Sequence, residues 1–265
     1  MKTDAFPTQP RVERTVRAAA AFLLKAGVQA LPLDPAEIIR SQGWRLQPYS
    51  RAADRSQLSL GEFRSTVGTQ DAFTVLRRRP VVFYNDTILS RERIAFSLCH
   101  EIGHIVLGHF ADFRPGSLTD AQLALLDAEA NIFAANLLAP PSVGDAIAPE
   151  KRPRCRAIFG LSRTAWTRRL TTLAADLACL TPDDRAAQLT RFDEWMHAYR
   201  CRDCSCVFRG GRVCPRCGSA RIAWDPRRIV VRPVSRPDRM IPAPPPRKTR
   251  RMLEAELDNP MVDKV

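Results

Sequence analysis

Long apolar runs are absent from this 265-residue sequence, since no stretch approaches the roughly 20 apolar residues that a transmembrane helix needs. An export signal is also absent, because the apolar stretch at 18–24 is too short and lacks a clean cleavage site. We therefore expect a cytoplasmic protein with no membrane partner. Because the cytoplasm is reducing, the eight cysteines are expected to be thiols or metal ligands and not disulfides.

Acidic residues are scarce in one late segment. Residues 200–251 contain 15 Lys/Arg and three Asp/Glu, whereas residues 1–199 contain 25 and 21, so most of the net charge of +13 lies near the C-terminus. A nearly balanced body with a basic appendage predicts an acidic partner, and nucleic acid is the first candidate. A solvated, arginine-rich surface is the alternative for this segment.

The pattern of apolar residues predicts an α+β fold in which a small mixed sheet precedes a set of helices. Strands are expected at 44–47, 57–63, 72–77 and 81–84, and helices at 12–26, 35–41, 91–108, 120–138, 154–160, 163–178 and 182–199. Residues 154–173 resemble a helix-turn-helix, with Arg163, Arg168 and Arg169 on the second helix.

The string HEIGH at 100–104 lies in an otherwise apolar run, AFSLCHEIGHIVLGHF, on the helix predicted for 91–108. Histidines four residues apart leave the same face of a helix, so His100 and His104 can bind one cation. Glu101 lies beside them and can take a proton from a zinc-activated water. Chance produces an HExxH string in roughly 0.2% of chains of this length, and the alternative is a helix with satisfied core histidines.

A catalytic zinc needs a third protein ligand. His109 is a poor choice, because five residues turn a helix by about 140° from His104 and should point this side chain elsewhere. The next predicted helix offers Asp127 and Glu129, which lie about 200° apart around the helix and cannot both face one ion. The spacing alone leaves these two carboxylates as alternatives.

SRERIAFSLCHEIGHIVLGH, preceded by FYND and followed by DAEANIFAANLLAP, resembles the ImmA/IrrE family of metallopeptidases over about residues 10–180. The resemblance implies zincin-like helices, with His100 and His104 as zinc ligands and Glu101 as the catalytic base. It implies Asp127 as the third ligand, where the family usually has Glu, and Glu129 remains the alternative. Asn131, one turn further along, is expected to steady the Asp127 carboxylate.

The resemblance also implies a function, that of a gluzincin-like zinc metalloendopeptidase. The expected substrate is a specific protein such as a helix-turn-helix transcriptional repressor, often encoded beside the peptidase on mobile elements or in stress circuits, and cleavage would relieve repression. The alternative is a DNA-binding regulator with a degenerate, non-catalytic peptidase-like domain, which the shorter Asp127 keeps open.

A second motif, CRDCSCVFRGGRVCPRCG at 201–218, has two CxxC pairs that predict a zinc ribbon. Four thiolates, Cys201, Cys204, Cys214 and Cys217, close the coordination shell, so this zinc would be structural. Cys206 is left over, and a redox pair is the alternative. The expected organisation is a metallopeptidase domain at 1–180, a linker helix at 181–200, the ribbon at 201–220 and a basic Pro/Arg-rich tail at 221–265, with one catalytic and one structural Zn²⁺.

Overall fold

A small mixed sheet and a larger set of helices form the body of the protein, in agreement with the predicted α+β class. The computed structural model describes residues 6–68, 71–113, 118–209 and 212–224. Most of the predicted basic tail, from residue 225 onward, lies outside the described residues. Among the described helices, none is long and apolar enough to cross a membrane.

Eleven α-helices and six strands occur in the described ranges. The helices are α1 (Val12–Lys25), α2 (Pro35–Ser41), α3 (Tyr49–Ser56), α4 (Leu60–Val67), α5 (Arg91–Leu107), α6 (His109–Asp112), α7 (Asp120–Leu138), α8 (Pro141–Ala146), α9 (Arg163–Ala178), α10 (Pro182–Arg191) and α11 (Asp193–Met196). The strands are β1 (Arg45–Pro48), β2 (Ala72–Val75), β3 (Val81–Tyr84), β4 (Ala198–Cys201), β5 (Val207–Arg209) and β6 (Ile222–Trp224).

The first sheet leads directly into the helix that carries the HEIGH motif. Its strand order is β1-β3-β2, with β1 parallel and β2 antiparallel to the central β3. A short turn follows β3, and Ser90 then caps α5 by accepting a hydrogen bond from the backbone N–H of Arg93. Both β2 and β3 pack against α5, so the helix that carries the HEIGH motif lies against one face of the sheet.

The core is centred on α5 and α7, which cross at Gly103. A Cβ atom at Gly103 would lie 3.1 Å from Cβ of Phe133 and 3.2 Å from Cα of Ala130, so the absence of a side chain lets the two backbones approach. Helix α1 also packs against α7, where the rings of Phe22 and Phe133 are 5.9 Å apart. These contacts place the side chains of α5 and α7 opposite one another.

Two of the predicted elements are wrong. Residues 57–63 were expected to form a strand, but Ser59 and Glu62 form a capping box that starts α4, and this local hydrogen bonding outweighs the alternating apolar pattern. Residues 154–160 were expected to form an α-helix, but two turns of 3-10 helix lie at Arg152–Arg154 and Arg156–Ile158. Pro153 lacks the N–H that a longer helix would use.

Arg169, on the second helix of the predicted helix-turn-helix pair, points into the core. Its guanidinium bonds to Asp176, to the amide oxygen of Asn136 and to the carbonyl of Ala139. Since the residue is 1% exposed, it cannot contact a nucleic acid. Arg163 and Arg168 are exposed on the same helix.

The expected helix at 182–199 is two helices, α10 and α11, and it gives way to strand β4 at Ala198. Phe192 and Trp195 are completely buried, and Nε1 of Trp195 donates to the carbonyl of Leu31 at 3.0 Å. Trp224, on the last described strand, packs edge-on against Trp195 and donates to the carbonyl of Met196 at 2.7 Å. The segment between the body and the cysteine motif is therefore part of the core.

We predict that Gly103→Ala lowers the free energy of unfolding by about 1–3 kcal/mol, because the new methyl group must push α7 away from α5. Urea denaturation measures the change. The control is Gly61→Ala in α4, where the nearest atom to a new Cβ is Ser59 Oγ at 3.9 Å. That variant should leave stability unchanged or raise it by less than about 1 kcal/mol. Equal losses in both variants would contradict the close approach.

Candidate metal centre

Two imidazoles and one carboxylate converge where α5 faces α7. Nε2 of His100 and Nε2 of His104 are 3.0 Å apart, and Oδ1 of Asp127 lies 3.7 Å from the first and 3.3 Å from the second. The Asp127 side chain, although one methylene shorter than that of a glutamate, therefore reaches both histidines. The contacts with these two imidazoles hold the pKa of Asp127 well below its usual range.

The spacing of these three donor atoms suits a zinc ion. Ligands at about 2.0–2.1 Å in a tetrahedron are about 3.3 Å from one another, close to the distances observed here. The donor set of two neutral imidazoles and one carboxylate is typical of a catalytic zinc with an open position. Asp127 is 60% exposed, so a water molecule or a substrate can approach from its side.

Glu101, next to His100 on α5, is buried and directed toward β2. Its side chain is 6% exposed, and Oγ1 of Thr74 donates a hydrogen bond of 2.7 Å to Oε2. This bond sets the plane of the carboxylate. The sequence reasoning did not find Thr74, because a threonine in a strand is unremarkable and only the sheet register brings it to α5.

Asn131 was expected to steady the Asp127 carboxylate, and this expectation is wrong. Oδ1 of Asn131 lies 3.0 Å from Nδ1 of His100. An amide oxygen at this position accepts the Nδ1 proton, which leaves the lone pair of Nε2 to face the centre. The residue does support the site, but it does so through an imidazole.

His109 was expected to point away from the HEIGH motif, and this is also wrong. The rotation argument assumed a continuous helix, but α5 ends at Gly108, whose φ of +77° reverses the chain before α6 begins. His109 is consequently buried, with its Nδ1 3.0 Å from Nδ1 of His104. It faces the side of His104 opposite to Nε2, so it is not grouped with the three donor atoms.

Glu129, the alternative third ligand, is directed away from the three donors. Its carboxylate bonds to Nε2 of His109 at 3.0 Å and to the backbone N–H and guanidinium of Arg11 at 2.7–2.8 Å. Burial alone would raise the pKa of Glu129, but the bonds from Arg11 and His109 lower it to about 2. Burial lowers the pKa of His109 to about 4, so this imidazole is neutral at neutral pH.

A second group of donors lies in the small sheet β5-β4-β6 at the C-terminal end of the described chain. The four thiols of Cys201, Cys204, Cys214 and Cys217 face one point, with Sγ–Sγ distances of 3.6 Å for Cys201–Cys217 and 3.5 Å for Cys204–Cys214. Zinc–sulfur bonds of about 2.3 Å in a tetrahedron separate the sulfurs by about 3.8 Å, so the arrangement suits zinc. Gly210 and Gly211, at the predicted turn, lie outside the described residues.

Cys206 does not join this cluster. Its thiol lies near the carbonyl of Val207, while its own carbonyl accepts a hydrogen bond from the N–H of Cys201. Two groups of His, Cys, Asp or Glu in the described parts of the chain could therefore hold a metal ion, one at the α5–α7 crossing and one in the ribbon.

Comparison with known proteins adds one finding. The IrrE N-terminal-like domain, Peptidase_M78, matches residues 53–171, a range that includes Thr74, both histidines of the first group, Glu101 and Asp127. A search of curated proteins finds no match to the chain.

We predict that the purified protein contains two zinc ions per chain and that Asp127→Ala contains one, because the first group loses its only carboxylate donor. Mass spectrometry of metal content after dialysis measures this. Cys206→Ser is the control and should retain both ions, since its thiol lies outside the ribbon cluster. Full retention of zinc in Asp127→Ala would show that this carboxylate is not a ligand.

Proposed function

Residues 53–171 belong to the IrrE N-terminal-like family of peptidases, and from this premise we propose that the protein is a zinc-dependent endopeptidase. The observation that carries the proposal is the position of Glu101. Its side chain directly follows His100 on α5, is buried and accepts a hydrogen bond from Thr74, while the three-donor group is open to solvent at Asp127. A purely structural zinc has no use for such a carboxylate, whereas hydrolysis requires a base there.

The residues divide the chemistry of peptide hydrolysis between them. A zinc ion held by His100, His104 and Asp127 would polarise the scissile carbonyl and activate a water at its open position. Glu101 takes the proton of the attacking water and delivers it to the leaving amine. The hydrogen bond from Thr74 to Oε2 would hold the carboxylate in place during this transfer.

The proposed substrate is a specific protein, and a helix-turn-helix transcriptional repressor is the first candidate. The resemblance of the HEIGH and DAEANIFAANLLAP helices to ImmA/IrrE peptidases supports this choice. The exposure of Asp127 is compatible with it, because a protein segment must reach the centre from solvent. Cleavage would remove the repressor from its operator and switch the repressed genes on.

The ribbon is proposed to bring the enzyme to nucleic acid. Three exposed arginines, Arg202, Arg212 and Arg216, make no ion pair within the described residues, whereas Arg209 and Arg221 pair with Asp193 and Asp203. Unpaired guanidinium groups are available for phosphates. Since Trp224 fixes this sheet to the core, DNA bound here would be held at a constant distance from the metal centre.

The second candidate function is a DNA-binding regulator whose peptidase-like domain does not cleave. The unpaired arginines of the ribbon favour it as much as they favour a DNA-recruited enzyme. The position of Glu101 favours the enzyme. A variant that lacks only the Glu101 carboxylate distinguishes the two candidates, because an enzyme would lose cleavage activity and a non-cleaving regulator would be unaffected.

We predict that Glu101→Gln lowers the rate of cleavage of the cognate repressor by about 10²–10⁴-fold, because the amide cannot accept the proton. Zinc content should not change, since Glu101 is not one of the three donors. Cleavage is followed by gel electrophoresis with repressors encoded next to this protein. Glu92→Gln, at the start of the same helix, is the control and should cleave normally. A Glu101→Gln variant with normal activity would rule out the proposed base.

We predict that replacing Arg202, Arg212 and Arg216 with alanine weakens binding to duplex DNA. It should also reduce the slope of log K against log salt by up to about 2.7, or about 0.9 for each lost phosphate contact. Fluorescence anisotropy across a salt series measures both quantities. The control removes three arginines of the body, Arg51, Arg78 and Arg79, which are also exposed. An equal effect of the two triple variants would indicate attraction by net charge alone.

A further inference from the structure

We infer that Arg11, Glu129 and His109 are positioning residues that direct the lone pair of His104 Nε2 toward the metal. The three residues form one continuous chain of hydrogen bonds behind His104 and touch neither the donor atoms nor the open position. The inference rests on the proposed zinc site, and it gives a role to three residues that the proposed chemistry leaves without one.

The chain of contacts has no gap. Nδ1 of His104 is 3.0 Å from Nδ1 of His109, and Nε2 of His109 is 3.0 Å from Oε2 of Glu129. The Glu129 carboxylate then accepts three bonds from Arg11, from the backbone N–H at 2.7 Å and from Nε and Nη2 at 2.8 Å each. His109 and Glu129 are each 1% exposed, so water does not compete for these bonds.

The proton positions follow from the end of this chain. The Glu129 carboxylate also accepts three bonds from Arg11 and is only an acceptor, so Nε2 of His109 must carry a proton. A zinc ion on Nε2 of His104 would leave the proton of that ring on Nδ1, and the contact between the two Nδ1 atoms has room for one proton. Nδ1 of His109 then carries a lone pair and can only accept, which requires His104 to carry its proton on Nδ1. His104 is left with a lone pair on Nε2, the atom that faces His100 and Asp127. The Glu129 carboxylate, separated from the metal by the side chains of His109 and His104, thus selects the tautomer of His104.

Arg11 completes the arrangement by stabilising a buried negative charge. Without a partner, the Glu129 carboxylate would be costly to bury and would tend to bind a proton. Arg11 satisfies it with both its main chain and its side chain at the beginning of α1. This arginine lies outside residues 53–171, so an N-terminal segment beyond the matched domain contributes to the metal centre.

A structural role for the same residues gives a different expectation. If Glu129 and Arg11 served only as a buried ion pair that fastens α1 to α7, then their loss would reduce stability and leave the zinc affinity of the folded protein unchanged. If they instead position His104, then their loss would reduce the zinc affinity of the histidine site and leave that of the ribbon site unchanged. Supporting residues of this kind typically change metal affinity by 10–100-fold, an order-of-magnitude expectation for this site.

The test is Glu129→Gln, with zinc affinity measured by competition with a chelator in the full-length protein. Arg11 and His109 both donate hydrogen bonds to the Glu129 carboxylate. In the Gln variant, one carboxylate oxygen is replaced by an NH₂ group, which is itself a donor and therefore faces a donor. His109 can relieve this conflict by moving its proton to Nδ1, which reverses the chain and places the His104 proton on Nε2. We expect the affinity of the histidine site to fall about 10–100-fold and the ribbon site of the same molecule to keep its affinity.

Glu13→Gln is the matched control, because Glu13 lies in the first turn of α1, two residues from Arg11, is largely exposed and pairs with Arg17. It should bind both zinc ions as the unchanged protein does. Nitrogen NMR of the zinc-loaded, unchanged protein gives a second readout that does not depend on a variant folding. It should show His109 as a neutral ring with its proton on Nε2.

Two results would overturn the inference: an unchanged affinity at the histidine site in Glu129→Gln, or a proton on Nδ1 of His109. Failure of the proposed zinc site would look different. In that case the unchanged protein itself would bind only the ribbon zinc, and no variant of Glu129 would alter its zinc content.

Discussion

The close approach of α5 and α7 at Gly103 is the constraint on which the metal centre depends. Helix α5 carries the two histidines and Glu101, while α7 carries Asp127, Glu129 and Asn131. Only a glycine at the crossing lets α7 come near enough for the short Asp127 side chain to reach the Nε2 atoms. The same approach places Asn131 and Glu129 where they can support the imidazoles from behind.

Much of the site could be predicted from the sequence because its main members are close together on one helix. A spacing of four residues is enough to place His100 and His104 on one face. The choice between Asp127 and Glu129 could not be made from spacing, because it depends on how α7 is rotated against α5. In the structure, Asp127 faces the imidazoles and Glu129 faces Arg11, a residue 118 positions away in the sequence.

Two of the wrong predictions share one physical cause, which is that a local event outweighed a periodic pattern. Helix α5 ends at Leu107, and the left-handed conformation of Gly108 then redirects the chain so that the ring of His109 lies against His104. The capping box at Ser59 turned an apparent strand into α4. Buried polar contacts could not be predicted either, and Arg169 shows this clearly, since its sequence context resembles a basic surface helix.

The anchoring of the ribbon by Trp224 has a consequence for how this protein could have been assembled. A zinc ribbon is often regarded as a module that can be joined to any domain by a linker. Here the indole of Trp224 rests on Trp195, which in turn is bonded to the loop at Leu31. Transplanting the ribbon to another peptidase would therefore require the recipient to supply the same aromatic contact for Trp224.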